Sequence, residues 1–280
     1  MNTRFFNFNP ATTKWDANNA LALAHAADLA YADEPAVRTQ LQQWGFDLTQ
    51  FQLLTNAQTD THGFIVGNED MILVSFRGTE PEDIHNWMTD LDALLRPFEV
   101  GMVHRGFGEA LDSVWPDIQA ALARFTNTGQ SLWFTGHSLG AALATLAVAR
   151  CLFQAPHTPV NGLYTYGSPR AGDFTFGRTF DQEFCDKTFR FVNNCDLVTR
   201  VPPRCLEFSH VGQLLYFDGD GFLQDDDHFW NVFLREVEVD FDSLKDVPLI
   251  IEDHGVEHYI QNLAKYIADV AAGQRPPLDC

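Results

Sequence analysis

The stretch Gly136-His137-Ser138-Leu139-Gly140 has the clearest chemical potential in the chain. It follows the apolar run Leu132-Trp133-Phe134 and leads straight into Ala141–Ala149, which is rich in Ala, Leu and Val. A strand, a turn of Gly-X-Ser-X-Gly form and a helix would hold a serine on a strained elbow with its hydroxyl presented outward. The flanking glycines, lacking a Cβ, let strand and helix close around that bend. Ser138 is therefore the candidate nucleophile. Leu139-Gly140, at the start of the helix, offers backbone N–H groups that favour negative charge nearby. Five residues with three fixed recur by chance, so the pattern needs a base, an acid and a second oxyanion donor elsewhere in the chain.

The sequence offers a candidate for each. Met71–Phe76 reads as a strand that runs into Arg77-Gly78-Thr79, where a tight backbone brings a hydroxyl and an N–H together; Thr79 is the candidate oxyanion donor beside Leu139. Asp196 follows the strand Thr188–Val192 in a loop closed by Pro202-Pro203, the place of the orienting acid in this architecture. Two histidines compete for the base. His254 lies in the loop before the last helix and His258 inside that helix, off its apolar stripe of Val256, Ile260, Leu263 and Ile267. A base must meet both Ser138 and Asp196 at hydrogen-bond distance, which favours His254.

These residues need elements to carry them. Asn18–Ala32 reads as a helix stopped by Asp33-Glu34-Pro35, and Val37–Trp44 as a second one ending at Gly45. Gly63–Val66 and Met71–Phe76 form a hairpin by composition. From Ile84 the apolar residues recur helically through Trp87, Met88, Leu91, Leu94 and Leu95. Such a helix after the oxyanion strand fits a lid over an apolar substrate site, or a helix packed permanently on the core. Another helix runs from Val103 to about Phe125 and should kink or break at Pro116. Strands at Gly162–Tyr166 and Thr188–Val192 flank a helix at Asp173–Phe184, and Val211–Phe217 adds a further strand. Strands separated by helices predict an α/β fold with a mostly parallel sheet, its site beyond the strands' carboxyl ends.

At 280 residues the chain can bury a large core, and one domain over 1–280 is expected. A formal charge of −20 disfavours nucleic acid and anionic membrane surfaces as partners. Neutral substrates suit it better. No apolar run suggests a leader or a membrane span, which predicts a cytoplasmic protein, with secretion as the alternative. The five cysteines show no metal-ligand spacing and read as reduced thiols, with Cys195 as packing. The carboxylates of Asp218–Asp227 fail the spacing of a calcium loop, since Leu223 stands where a glycine is required. No metal or other cofactor is expected.

Taken together, Ser75–Thr79, Asn86-Trp87 with Asp90-Leu91, Val103–Phe107, Thr135–Gly140, Tyr166–Gly172, the Asp196 loop and His254 with Glu257 and Tyr259 resemble the motifs of the class 3 lipases. They stand in that family's order, over roughly residues 20–270. The resemblance implies an α/β-hydrolase fold with a helical lid near Pro81–Leu95. It also implies Ser138, Asp196 and His254 as the triad and Thr79 with Leu139 as the oxyanion hole. Ile84, Trp87, Met88 and Leu91 would be the lid residues that meet substrate. The implied reaction is hydrolysis of fatty-acyl esters at a lipid–water interface, without a cofactor. A phospholipase A1 or a feruloyl-type or short-chain esterase would use the same residues. A non-catalytic α/β-hydrolase that binds a ligand is the more distant alternative. Oligomeric state is not legible.

Overall fold

A computed structural model of the chain describes residues 5–80, 83–84, 92–125, 129–154, 157–224 and 252–278. The expected lid residues Trp87, Met88 and Leu91, the run Asp225–Asp227 and Leu249–Ile251 lie outside the described residues. The helices are α1 (Ala17–Leu29), α2 (Glu34–Gln43), α3 (Arg105–Phe125), α4 (Leu139–Phe153), α5 (Phe174–Phe184) and α6 (Val256–Ala271). The larger sheet takes, in chain order, β1 (Asp47–Asn56), β2 (Thr61–Gly67) and β3 (Met71–Phe76). A smaller sheet begins with β4 (Leu95–Pro97) and β5 (Met102–His104). There follow β6 (Ser131–His137), β7 (Gly162–Tyr166), β8 (Gly172–Asp173), β9 (Thr188–Asn193), β10 (Phe208–Ser209), β11 (Gln213–Phe217) and β12 (Leu223–Gln224).

The eight-stranded sheet has the order β1-β2-β3-β6-β7-β9-β11-β12, and the four-stranded one β10-β8-β5-β4. Within the large sheet β3, β6, β7, β9 and β11 run parallel, while β1, β2 and β12 are antiparallel at its edges. Side chains alternate across a strand, so each central strand feeds two cores. Ile72, Val74, Phe76, Leu132 and Phe134 face α3 and α4. Met71, Leu73, Trp133, Tyr164 and Phe189 face the Ala-rich α1 and helix α6. That is why these strands read as unbroken apolar runs: both faces are covered. Sheet hydroxyls tie α1 down, Ser75 Oγ donating to Ala26 O at 2.9 Å and Thr135 Oγ1 to Leu23 O at 3.1 Å.

Four sequence expectations need correction. Asp33 and Pro35 do not merely stop α1; the Asp33 carboxylate accepts from Ala36 N–H at 2.9 Å and caps α2, with Pro35 in its first turn. Helix α3 continues through Pro116, because its stripe of Phe107, Leu111, Val114, Trp115, Ile118 and Leu122 is buried and holds it on the sheet. The apolar period read as reaching Leu95 stops earlier: residues 92–94 are irregular, Leu94 is exposed, and Leu95 opens β4 opposite His104. Cys195 is exposed rather than packed.

Candidate active site

The carboxyl ends of β3, β6, β7 and β9 converge, and each supplies one part of the site. Ser138 follows β6 with φ 57° and ψ −131°, in the positive-φ region that a side chain resists. The contact behind it explains why the bend holds. A Cβ on Gly140 would stand 2.2 Å from Phe76 O, so α4 sits directly on the end of β3 only because residue 140 is glycine. Ser138 N–H donates to Tyr166 O at 3.0 Å, which pins the elbow to β7. A serine at a helix N-cap ordinarily bonds the next turn's N–H, but this one makes no such bond. Its Oγ is buried and without a partner.

Asp196 and His254 are brought into contact from loops 58 residues apart in the sequence. His254 Nδ1 lies 2.9 Å from each Asp196 carboxylate oxygen. The remaining carboxylate capacity is filled by Val198 N–H at 2.9 Å and Tyr259 Oη–H at 2.6 Å. An anionic Asp196 puts the imidazole proton on Nδ1 and leaves Nε2 bare. Nε2 is buried and has no partner. Tyr259 stays protonated because burial, and then the Asp196 charge, raise its phenol well above 10.0. The loop is fastened to the histidine segment by Asn193 Nδ2 to Asp253 O at 2.9 Å and Cys195 N–H to Asp253 Oδ2 at 3.2 Å.

Three further residues frame the pair. Gly167, after β7, has φ +60°, and a Cβ there would lie 2.8 Å from both Asp196 Oδ2 and His254 Cε1. His137 Nε2–H donates to His254 O at 2.6 Å, and its Nδ1 accepts from Tyr31 Oη–H at 2.8 Å. Burial, then the neighbouring His254, hold His137 well below 6.5, so it is neutral, as this pairing requires. Arg170 is buried and clasps the far side of the Asp196 loop. Its N–H donates to Val201 O at 2.8 Å and its guanidinium to Pro202 O at 2.8 Å and to Arg200 O. Burial and the charges of Arg190, Arg204 and Arg200 push it down to about 9. None of these roles shows in composition, although His137 lay in the Ser138 motif and Gly167 and Arg170 in the Tyr166–Gly172 stretch.

A cavity of about 470 Å³ opens on this group, lined by Thr79, Ile84, His254 and His258 among others. Gly78 borders Ser138, since a Cβ on it would lie 2.7 Å from Ser138 Cβ. Thr79 is thus the next backbone position, and Leu139 opens α4, whose first N–H groups lack partners within the helix. Ile84 is buried and faces the same cavity. His258 shares the cavity, but the hydrogen bonds to Asp196 come from His254. Among the described residues no group of three or more His, Cys, Asp or Glu is gathered as for a metal ion.

Comparison with known proteins follows the same lines. Residues 73–205 match the family described as lipase (class 3). A secreted mono- and diacylglycerol lipase 1 of Fusarium solani is 33% identical over 153 residues, covering 53% of this chain and 44% of that protein. Triacylglycerol lipase OBL1 of Arabidopsis thaliana is 27% identical over 247 residues, covering 69% of this chain and 48% of its own. The chain thus spans less than half the length of these relatives. Among solved structures, lipase II from Rhizopus niveus matches with a TM-score of 0.62 at 25% identity, covering 72% of this chain and 81% of that one. The expected cytoplasmic location finds no support here, and the Fusarium relative is itself named as secreted. Among the described residues no helix is long and apolar enough to cross a membrane. Through residues 73–205 the chain is similar to the class 3 lipases, and the architecture around them is that of the α/β-hydrolase fold.

Proposed function

We propose that the protein is a serine carboxylester hydrolase and, most specifically, a lipase that cleaves acylglycerol esters through an acyl-enzyme. The observation that carries this reading is the His254 imidazole, bonded through Nδ1 to Asp196 at 2.9 Å and free at a buried Nε2. Ser138 Oγ attacks the ester carbonyl as Nε2 takes its proton, and Asp196 stabilises the resulting imidazolium. Backbone N–H groups of Thr79 and Leu139 hold the oxyanion; losing one such donor typically costs about 3–4 kcal/mol. The imidazolium then protonates the departing alkoxide. Water, deprotonated by the same Nε2, attacks the acyl-Ser138 ester and releases the acid. Neither step calls for a metal or organic cofactor.

The lipid substrate is supported by the names of the relatives and by the apolar Ile84 in the cavity. Contact with a lipid–water interface through Ile84, Trp87, Met88 and Leu91, a single catalytic unit over 1–280 and secretion belong to the same reading. The test is hydrolysis of p-nitrophenyl esters from acetate to palmitate, below and above substrate aggregation. A preference for long chains with a rise at aggregation is expected. Preference for acetate without that rise would leave an esterase and overturn the lipase.

A further inference from the structure

The cavity beside His254 is charged with one sign. Among the described residues that line it, Asp28, Glu80 and Glu257 are carboxylates, and no lysine or arginine is present. Glu80 is offset by Arg77, whose Nη1 lies 2.8 Å from it. Asp28 and Glu257 have no ion-pair partner among the described residues. They come from helices α1 and α6, which pack against each other, and the Glu257 charge adds to burial in raising the Asp28 carboxyl. Glu257 folds back toward the base: a Cβ on Gly255, next to His254, would stand 2.5 Å from Glu257 Oε1.

An ester attacked by Ser138 has to come up beside the unpartnered, buried Nε2 of His254, which lines this charged cavity. We propose that Asp28 and Glu257 form a charge filter at the mouth, which admits uncharged and cationic esters and turns away esters bearing a carboxylate or phosphate. The inference rests on the ester-hydrolase reading and narrows its substrate class. It also bears on product. Hydrolysis turns a neutral ester and water into an alcohol and an acid, and once the acid gives its proton to solvent its carboxylate is repelled. Asp28 and Glu257 are exposed on the cavity wall, where like-signed carboxylates repel an entering anion, so a discrimination of roughly tenfold is expected at low salt.

Three p-nitrophenyl esters of equal chain length test it on the full chain: caproate (neutral), ε-aminocaproate (cationic) and the monoester of adipate (anionic). The wild type should favour the first two over adipate by roughly tenfold in kcat/KM, a gap that narrows in about 0.5 M salt. In D28N/E257Q the adipate-to-caproate ratio should rise roughly tenfold. An unmoved ratio, or a wild type that takes adipate as readily as caproate, overturns the filter. If no ester is hydrolysed the hydrolase reading fails separately, and calorimetry of S138A with laurate and dodecylamine then decides the filter. Tighter binding of the amine, lost in the D28N/E257Q background, sustains it; equal binding sinks it.

Discussion

Tyr259 uses one hydroxyl in two bonds, donating to Asp196 Oδ2 at 2.6 Å and accepting from Asn193 N–H at 3.1 Å. Removing it leaves the carboxylate short of a donor and a buried N–H unpaired. A hydrogen bond to a charged group is worth about 1.5–3 kcal/mol, so Y259F should lower kcat by roughly tenfold and lower Tm by several degrees, with KM little changed. Wild-type kinetics in Y259F would show that the bond is incidental. Ser138 and Asp196 were legible because a motif and a strand end carry information. Gly167 was not, since its part in the site is the absence of a side chain beside His254. Tyr259, Tyr31 and Arg170 act through contacts between distant segments, such as Tyr31 Oη with His137 Nδ1 at 2.8 Å, that no local spacing encodes.

At the scale of elements, the central strands and α4 were readable from unbroken apolar runs, because a parallel sheet covered on both faces leaves no polar alternation. Edge elements were harder. Strand β1, with Asp47, Thr49, Gln50 and Gln52 in Asp47–Asn56, has a mostly half-exposed burial pattern and carries little hydrophobic signal. Its pairing with β2 comes from backbone hydrogen bonds, which any sequence can supply. Pro116 misled for a different reason. Local propensity argued against a helix there, but the buried stripe of α3 outweighs one proline's cost of about 3 kcal/mol. Leu95 fitted the helical period and yet joins β4, where pairing with β5 decides its conformation. The small sheet that results was invisible in the sequence, since β8 and β10 are two residues each.

On the scale of the whole molecule, burial holds four histidines, His25, His104, His137 and His210, below the ordinary 6.5. A group with a depressed basic pKa takes up its proton more readily when unfolded, so stability is full above 6.5 and falls as the pH drops below it. Each such histidine withholds up to about 1.4 kcal/mol per pH unit below that point. Asp28 and Asp181, raised above 3.8 by burial, act oppositely, since their protonation on acidification favours the fold. Four groups against two set the sign. At about 0.15 M salt, which screens the self-repulsion of the acidic surface, Tm should fall between pH 7 and about 5.5. A flat or rising Tm would contradict these assignments, and H210Q should weaken the fall. The central claim is that His254 activates Ser138, and it is tested most directly by fluorophosphonate labelling with peptide mapping. The account predicts a single adduct on Ser138 in the wild type and in H258A, lost in S138A and slowed by roughly a thousandfold or more in H254A. An adduct elsewhere, or undiminished labelling of H254A, would contradict it.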